Sequence, residues 1–401
     1  MSRGRLWFFF MLLAVILFAL QEALFRFVFP LPEIANFNRV NYSMMVSGAT
    51  EEKPWPLSNE AYTWASDPDG AEFVHHLNLY GFRDKNWSVK GSNRVMFVGD
   101  SFTEGFMANG DETIPAGFEQ AARAAGEPME TINLGTGAAG IADYLAVIRD
   151  AVPVFLPDTV ILVLYANDFP AEEDVGRHLD SGKTALRSDP WIPRLYVVVS
   201  RLMDRGRIAT RWSKQPFMFL PASDSSRNPL HKEDFLTYVG DFVEPELLAS
   251  MQAGRFNPFV INEYTNYATY LPIPAKIDGV IERTRQFVEA HGSQLMVVHI
   301  PYRSQVSDYY LDYTRQYDIN KQPESLMPET YQVHARFLKA ECEQLGIPFL
   351  DMTDILRQRE ADGEHMYWNY DEHMKGSSYL LTGTEIFRVW KQQSAMAGTD
   401  R

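Results

Sequence analysis

Cysteine is nearly absent from this chain, in which Cys342 is the only one among 401 residues. A single thiol excludes an intrachain disulfide and any zinc site built from several cysteines. Both oxidising and reducing compartments tolerate such a chain, so the cysteine count leaves its location open. Cys342 falls on the apolar face of a predicted helix, which indicates a packing role.

An excess of basic residues is also lacking, because 37 Lys and Arg face 52 Asp and Glu, for a formal net charge of −15. Binding to a phosphate backbone relies on basic side chains, so nucleic acid is excluded as the main partner. The sequence contains no internal repeat and no low-complexity segment. With 46% apolar residues the chain is expected to be globular. At roughly 150 residues per domain it has room for two or three units.

A long apolar run does lie at the front of the chain, over Leu6–Leu20, directly after Arg3 and Arg5. About 20 mostly apolar residues span a bilayer, and the pattern reaches that length if the helix continues towards Pro30. We favour an uncleaved membrane anchor at 1–30, since no small-residue cleavage site follows the run. The two arginines then hold the N terminus in the cytoplasm and leave the rest of the chain extracytoplasmic. A cleaved signal peptide and a buried soluble helix are the alternatives.

From residue 94 onward, short apolar runs alternate with amphipathic stretches, a pattern typical of βα units and a mostly parallel sheet. The predicted strands cover 94–98, 131–134, 159–165, 294–300 and 347–350. The predicted helices cover 113–125, 141–152, 278–291, 328–345 and 377–390. The alternation stops between 171 and 277, so the sequence predicts an α/β core in two pieces with a long insertion.

The predicted organisation therefore has a stem and lead-in at 31–90 after the anchor, a core domain at 91–392 and a short tail at 393–401. The insertion at 171–277 belongs to the core domain. Within it, residues 194–214 contain six basic residues and one acidic residue. Such a stretch could lie along an anionic membrane surface. A helix that packs on the core with solvated arginines is the favoured interpretation.

A candidate nucleophile follows the first predicted strand, in Gly99-Asp100-Ser101. Open parallel sheets place ligand sites just outside the carboxyl ends of their strands, and a strand-to-helix turn there can expose a serine hydroxyl. A Gly-Asp-Ser turn on its own more often serves the backbone than catalysis. Ser101 therefore becomes a strong candidate only in combination with a base.

A base for Ser101 is offered by His373, on a loop between the last predicted strand and the last predicted helix. A serine hydroxyl at neutral pH needs a base within hydrogen-bond reach and a group that orients that base. Asp371 lies two residues before His373, close enough to hold the imidazole in one tautomer. Glu372 is expected to point elsewhere, as a solvated acid.

Donors for a developing oxyanion are expected at two further strand ends. The glycine-rich loop Asn133–Gly140 follows the second strand, and its backbone N–H groups could face the site. Asn167 follows the third strand, where its side-chain amide can donate. The loop also has the G-x-G-x-x-G spacing of dinucleotide-binding folds, but it follows the wrong strand. Asp158, about 20 residues on, precedes its strand, so nucleotide binding is disfavoured.

No metal or other cofactor is predicted. His75, His76 and His365 lack metal-ligand spacing with nearby carboxylates, which favours surface or packing roles. A serine nucleophile with a histidine base needs no cofactor for acyl transfer.

Together these residues resemble the SGNH, or GDSL-type, serine hydrolases. The blocks that carry the resemblance stand in the family's order: Gly-Asp-Ser at 99–101, Asn-Leu-Gly at 133–135, Ala-Asn-Asp at 166–168 and Asp-x-His at 371–373. The resemblance covers about 80–170 and 278–390. Within that span, Tyr80–Asp84 and Pro301–Val306 look like segments of membrane-associated bacterial members.

The resemblance implies a flavodoxin-like three-layer α/β/α sandwich with a parallel sheet. It implies Ser101 as the nucleophile, His373 as the base and Asp371 as the group that orients the base. The implied oxyanion donors are the Ser101 and Ala138 backbone N–H groups and the Asn167 side chain. Ala138 stands where the family has glycine, so its role as a donor requires a negative φ, and a neighbouring backbone N–H is the alternative donor. The last block is Asp-x-His, where many secreted esterases of the family have Asp-x-x-His.

The implied function is a membrane-anchored, extracytoplasmic serine esterase that removes an O-acyl group from a small-molecule or carbohydrate ester. The Asp-x-His spacing resembles the subgroup that handles O-acetyl groups on cell-envelope polysaccharides. An O-acyltransferase with the same residues, and a catalytically idle envelope scaffold or binding protein, are the alternatives. The side chains that could line a sugar site are those of Tyr302, Arg303, Trp368 and Tyr370.

Overall fold

A computed structural model of the chain describes residues 2–29, 61–66, 71–89, 93–137, 139–165, 175–180, 192–200, 279–311, 328–369 and 371–399. Single residues are also described at 31, 34, 37, 39, 168, 203, 245, 249 and 277. Most of the predicted insertion at 171–277 and most of the basic stretch at 194–214 lie outside these residues. The last two residues of the predicted tail lie outside them as well.

The strands are β1 (Ala61–Ser66), β2 (Ala71–His76), β3 (Arg94–Gly99), β4 (Glu130–Gly135), β5 (Thr159–Leu164), β6 (Gln294–His299) and β7 (Phe349–Asp351). The α-helices before β6 are α1 (Arg3–Ala23), α2 (Ser101–Glu104), α3 (Ile114–Ala124), α4 (Ile141–Phe155), α5 (residues 194–200) and α6 (Val280–Ala290). Those after it are α7 (Arg303–Val306), α8 (Pro328–Leu345), α9 (Thr353–Ala361) and α10 (Gly376–Thr399). Short 3₁₀ turns lie at Gly110–Glu112, Val175–Leu179 and Asp308–Tyr310.

Helix α1 continues through one π-helical turn at Leu24–Val28. None of its residues is buried, although apolar side chains occupy every face of the helix over Leu6–Leu20. In the described part of the chain, Arg3–Val28 is the one helix long and apolar enough to cross a membrane. A signal sequence has the same length and composition, so cleavage is not decided by this helix.

A five-stranded parallel sheet forms the centre of the chain, in the order β4-β3-β5-β6-β7. This is the flavodoxin-like order, since the chain first moves from β3 to one edge and then returns to β5 on the other side. The carboxyl ends of β3 and β5 therefore border the point at which the strand order reverses, and ligand sites of open parallel sheets lie there. Ser101 lies two residues after the end of β3.

Alternate side chains of the strands enter two separate apolar cores. On β3, Val95 and Phe97 belong to one core, whereas Met96 and Val98 belong to the other. The first core includes side chains of α3, α9 and α10, and the second includes side chains of α4, α6 and α8. The described core is thus the predicted α/β/α sandwich, with both faces of the sheet covered by helices. Cys342 is buried in the second core, which confirms its packing role.

The predicted core strands and helices are confirmed, with shifts at their ends. Helix α4 passes Pro153 and ends at Phe155, and the Leu156 N–H still donates to the Val152 carbonyl at 3.0 Å. Helix α10 runs to Thr399 and so includes most of the predicted tail. Helices α2, α7 and α9 were not predicted, because the first two span a single turn each and the third is short and polar.

The range predicted as a stem contributes strands and core residues. Strands β1 and β2 pair as an antiparallel hairpin within it. Further along, Phe37, Tyr80, Phe82 and Trp87 pack with Phe155 of α4 in the second core. The described part of 31–90, predicted as a stem and lead-in, therefore also contributes side chains to the second core.

Gly135, at the end of β4, packs directly on the backbone of α2. A Cβ atom at this position would lie 2.0 Å from the backbone nitrogen of Glu104. Since a backbone atom cannot move aside alone, we expect Gly135→Ala to lower the free energy of unfolding by about 1–3 kcal/mol or more. Denaturant unfolding measures the change. Gly110→Ala is the matched control, because nothing lies within 4 Å of its Cβ position. Equal stability of the two variants would contradict this close approach.

Candidate active site

Ser101 is the first residue of α2, directly beyond the carboxyl end of β3. The tight turn depends on its neighbours. A Cβ atom on Gly99 would lie 2.1 Å from the Thr103 hydroxyl oxygen, and the Asp100 carboxylate accepts the Phe102 N–H at 2.9 Å. The helix lasts one turn, because Gly105 ends it with a left-handed φ of 81°. The sequence Gly-Asp-Ser therefore places the serine hydroxyl just beyond the carboxyl end of β3.

His373 and Asp371 lie in the loop before α10 and reach Ser101 from the other end of the chain. The His373 Nε2 atom lies 2.7 Å from the Ser101 Oγ atom. On the opposite side of the ring, Nδ1 lies 2.5 Å from the Asp371 Oδ1 atom, which also accepts the His373 backbone N–H at 2.8 Å. The three residues thus form one continuous hydrogen-bonded chain, which we call the Ser–His–Asp chain. In this arrangement Nδ1 donates to Asp371, and Nε2 is free to accept the serine proton.

The charges in the Ser–His–Asp chain favour an imidazolium once a proton arrives. Burial lowers the pKa of His373, but the charge and hydrogen bond of Asp371 outweigh burial and hold that pKa above its usual value. Burial raises the pKa of Asp371, and the charge and hydrogen bonds of His373 more than offset it, so this pKa lies below its usual value. Asp371 therefore stays ionised while His373 gains and loses a proton.

Additional buried acids surround the Ser–His–Asp chain. Glu372, expected as a solvated acid, is buried instead, and its carboxylate accepts the Tyr165 hydroxyl at 3.2 Å. Burial raises the pKa of Glu372 to about 7 and that of Asp100 to about 6. Burial and then the charge of Asp100 raise the pKa of Asp168, which accepts the Tyr165 N–H at 2.7 Å. The prediction for Glu372 was wrong because the loop turns at this residue and directs its side chain into the core.

Two aromatic rings pack against the His373 imidazole. The ring centroids of Phe102 and Phe106 lie 4.9 and 4.6 Å from the centroid of the imidazole. Phe106 is also in edge contact with His75, which is buried and therefore packs as the sequence predicted. These contacts restrict the imidazole to the orientation in which it meets Ser101.

Arg303 holds the loop that carries Asp371 and His373. Its guanidinium donates to the carbonyls of Trp368 at 2.9 Å, Asn369 at 2.6 Å and Asp371 at 3.3 Å. Arg303 and its neighbour Tyr302 are fully buried, so the prediction that they could line a sugar site was wrong. Trp368 is half-buried, and Tyr370 lies outside the described residues. The sequence block at 301–306 thus serves to fix the histidine loop, and no local signal in the sequence indicates this role because the carbonyl partners lie more than 60 residues away.

The block at 80–84 holds the opposite side of the site. The Arg83 guanidinium donates to the carbonyls of Gly105 and Ala108, which flank Phe106. Asp84 accepts the Asn133 backbone N–H at 2.8 Å and so ties this block to β4. Both residues support the elements that carry the site, which explains why charged side chains occur in an otherwise apolar stretch.

Glu104 at the end of α2 fixes the glycine-rich loop. Its carboxylate accepts the Gly137 N–H at 2.8 Å and pairs with Arg39 at 2.7 Å, and both ionic side chains are buried. The Gly137 N–H is therefore occupied and leaves the oxyanion role to other donors. Two of the predicted donors, Ala138 and Asn167, lie outside the described residues, and their roles stay predictions.

Among the described residues, no three His, Cys, Asp or Glu side chains are grouped so that they could hold a metal ion. The acids around His373 are instead engaged by backbone and tyrosine donors, such as the Tyr165 N–H and hydroxyl. The Ser–His–Asp chain can activate the Ser101 hydroxyl as a nucleophile.

Glu372 offers a test of how charge controls the base. A negative charge on Glu372 raises the pKa of His373, and catalysis needs the neutral imidazole. We therefore expect Glu372→Gln to shift the acid limb of the kcat/KM profile for ester hydrolysis to lower pH. Glu364→Gln, at an exposed position near α9, is the matched control and should leave the limb in place. A limb that does not move, or that moves to higher pH, would show that Glu372 is not coupled to the base.

Solved structures similar to this chain include several lipolytic proteins. A lipolytic protein of the G-D-S-L family from Desulfitobacterium hafniense is 13% identical with a TM-score of 0.35, over 74% of this chain and 99% of that chain. An acylhydrolase from Bacteroides fragilis is 14% identical with a TM-score of 0.32, over 76% of this chain and 89% of that chain. An extracellular lipase from Streptomyces rimosus is 11% identical with a TM-score of 0.34, over 73% of this chain and 98% of that chain. No protein-family model and no curated protein matches the chain. At these low values, the function has to be inferred from the geometry of the site.

Proposed function

We propose that this chain is a serine esterase in which Ser101 attacks an ester carbonyl, His373 transfers the proton and Asp371 orients His373. The observation that supports this proposal is the Ser–His–Asp chain, with contacts of 2.7 Å and 2.5 Å on the two sides of the imidazole. The Ser101–His373 distance lies within the range required of a nucleophile and its base, and the contact with Asp371 supplies the group that orients the base. The site also lies at the carboxyl ends of parallel strands, which is where open α/β sheets bind their ligands.

The proposed reaction proceeds in two steps. The Ser101 oxygen bonds to the ester carbonyl carbon while its proton passes to the Nε2 atom of His373, and Asp371 stabilises the imidazolium. The oxyanion accepts hydrogen bonds from the Ser101 and Ala138 N–H groups and the Asn167 amide. Collapse of this intermediate breaks the ester bond, and His373 returns the proton to the leaving alcohol. Water then attacks the acyl-enzyme with His373 again as the base, which releases the acid and restores Ser101.

For the substrate, we propose an O-acetyl ester on a cell-envelope carbohydrate. The exposed apolar helix Arg3–Val28 supports an extracytoplasmic domain held at a membrane, where such polymers occur. The Asp-x-His spacing at 371–373 supports an acetyl group, through its resemblance to the subgroup that handles O-acetylated envelope polysaccharides. Hydrolysis needs no cofactor.

The experiment uses the full chain in detergent, with p-nitrophenyl acetate and an O-acetylated polysaccharide as substrates. We expect acetate release from both. Release from the p-nitrophenyl ester alone would contradict the carbohydrate substrate, and release from neither would contradict esterase activity. Addition of an unacetylated oligosaccharide distinguishes hydrolysis from transfer. Hydrolysis predicts the same yield of free acetate, whereas an acyltransferase would place the acetyl group on the oligosaccharide.

A further inference from the structure

An uncovered apolar face lies on α5, far from Ser101 in sequence. Leu195, Tyr196 and Val199 of α5, and the single described helical residue Met203 beyond it, are between 41% and 60% exposed. At 100° per residue, the three α5 positions fall within an arc of about 100° on one side of the helix. Val197 points the other way and is buried against Leu31. One side of the helix thus packs on Leu31, and the apolar side is exposed.

Helix α5 is attached to the end of the apolar N-terminal helix. The Arg194 backbone N–H donates to the Glu22 carboxylate at 2.6 Å. Next to this bond, Val197 and Leu31 form a small apolar cluster against which Phe25 packs. The apolar face of α5 therefore begins at the level of Glu22 and Phe25 along the N-terminal helix.

That level corresponds to the surface of a bilayer. The 26 residues of Arg3–Val28 extend about 39 Å at 1.5 Å per residue, which exceeds the roughly 30 Å hydrocarbon core. Glu22 is the first charged residue after Arg5, and it forms an ion pair with Arg26 at 3.1 Å. Because charged pairs lie outside the hydrocarbon, the Glu22–Arg26 turn marks the interface on the side of the α/β core.

The charge of the segment suits the same surface. Residues 194–214 contain six basic residues and one acidic residue in a chain with a net charge of −15. Basic residues near anionic lipid add to the attraction between a protein and a membrane. An apolar helix face followed in the sequence by a run of basic residues is typical of helices that lie in the plane of a membrane surface.

We propose that α5 is an interfacial membrane helix, with its residues Leu195, Tyr196 and Val199, and Met203 beyond it, inserted among the lipid headgroups of the bilayer that Arg3–Val28 crosses. This inference rests on the membrane insertion of the N-terminal helix, but it does not depend on the esterase reaction. A spanning helix alone leaves the α/β core free to rotate and tilt. A second contact beside it gives the chain two attachments to the membrane, at Arg3–Val28 and at α5.

Site-specific quenching in vesicles that contain anionic lipid tests the proposal on the full chain. Cys342 is buried and burial raises its pKa to about 12, so a maleimide fluorophore labels an introduced cysteine selectively. The labelled variants are Val199→Cys on α5, Leu13→Cys in the N-terminal helix and Val74→Cys on the exposed side of β2. Nitroxide-bearing lipid and aqueous iodide are the two quenchers.

We expect the lipid nitroxide to quench the labels at 13 and 199, and iodide to quench the label at 74. If the lipid nitroxide quenches the label at 13 while the label at 199 responds only to iodide, the anchor is intact and the proposal is wrong. Protection of 199 from both quenchers would mean that protein covers the face, which also overturns the proposal. Without lipid quenching at 13, the membrane anchor fails and the proposal fails with it.

A substitution within the face gives an independent test. In a Met203→Cys background, Val199→Asp should abolish lipid quenching of the label at 203, because a carboxylate in the centre of the face opposes insertion. Val74→Asp is the matched control and should leave that quenching unchanged. Both variants should hydrolyse p-nitrophenyl acetate at the rate of the unsubstituted chain. Unchanged lipid quenching in Val199→Asp would contradict the proposal.

Discussion

Replacement of Ser101 by alanine is expected to reduce ester hydrolysis on the order of 10⁶-fold, which brings p-nitrophenyl acetate turnover down to its spontaneous rate. The physical reason is that the acyl-enzyme forms on the Ser101 oxygen, which the base His373 contacts at 2.7 Å. The loss should appear in kcat, because the hydroxyl acts in the reaction and contributes little to holding the substrate. Initial rates over a range of ester concentrations measure both parameters.

Folding of the Ser101→Ala variant is not expected to change, since the substitution removes one hydroxyl from a half-buried position. Thermal unfolding checks this point. The matched control is Ser394→Ala, whose hydroxyl bonds only within its own helix, at 3.0 Å to the Trp390 carbonyl. Retention of hydrolysis by a correctly folded Ser101→Ala variant would show that the nucleophile lies elsewhere.

Replacement of Asp371 by asparagine should reduce kcat by about 10⁴-fold and leave the hydroxyl of Ser101 in place. In the unsubstituted chain, the Asp371 carboxylate accepts both the His373 Nδ1–H at 2.5 Å and the His373 backbone N–H at 2.8 Å. A neutral amide removes the charge that raises the pKa of His373, and it no longer fixes the tautomer in which Nε2 is the acceptor. The residual activity should therefore have its acid limb at lower pH than the unsubstituted chain.

The matched control for this variant is Asp354→Asn, which changes an exposed carboxylate of α9 that pairs with Arg357. Its kcat and its pH profile should both be unchanged. If Asp371→Asn retained full kcat, or lost activity without any movement of the acid limb, Asp371 would not be the group that orients His373.

Local signals were sufficient to predict the core. The run Arg94–Val98 has no polar residue after its first position, as expected of a strand covered on both faces. Thr113 and Gly126 flank the predicted α3, and the structure uses Thr113 as its N-cap, with the hydroxyl accepting the Ala116 N–H. Such capping and burial patterns depend on neighbours in sequence, so one chain suffices to predict them.

The environment of the site was harder to predict because it depends on contacts between distant segments. Glu372 adjoins a loop histidine in sequence, yet Tyr165, more than 200 residues away, receives its side chain in the core. Arg303 was expected near a ligand, whereas its partners are carbonyls more than 60 residues further along the chain. Arg39 and Glu104 are likewise joined across 65 residues. No local pattern distinguishes a buried, paired charge from a solvated one.

The nucleophile itself can be identified directly by reaction of the full chain with a fluorophosphonate, followed by proteolysis and mass spectrometry. We expect a single phosphonylated residue, Ser101, and much slower labelling in the His373→Ala variant, because the serine then lacks its base. Labelling of a different residue, or no labelling of the folded chain, would contradict the assignment of Ser101, His373 and Asp371 as the residues that carry out catalysis.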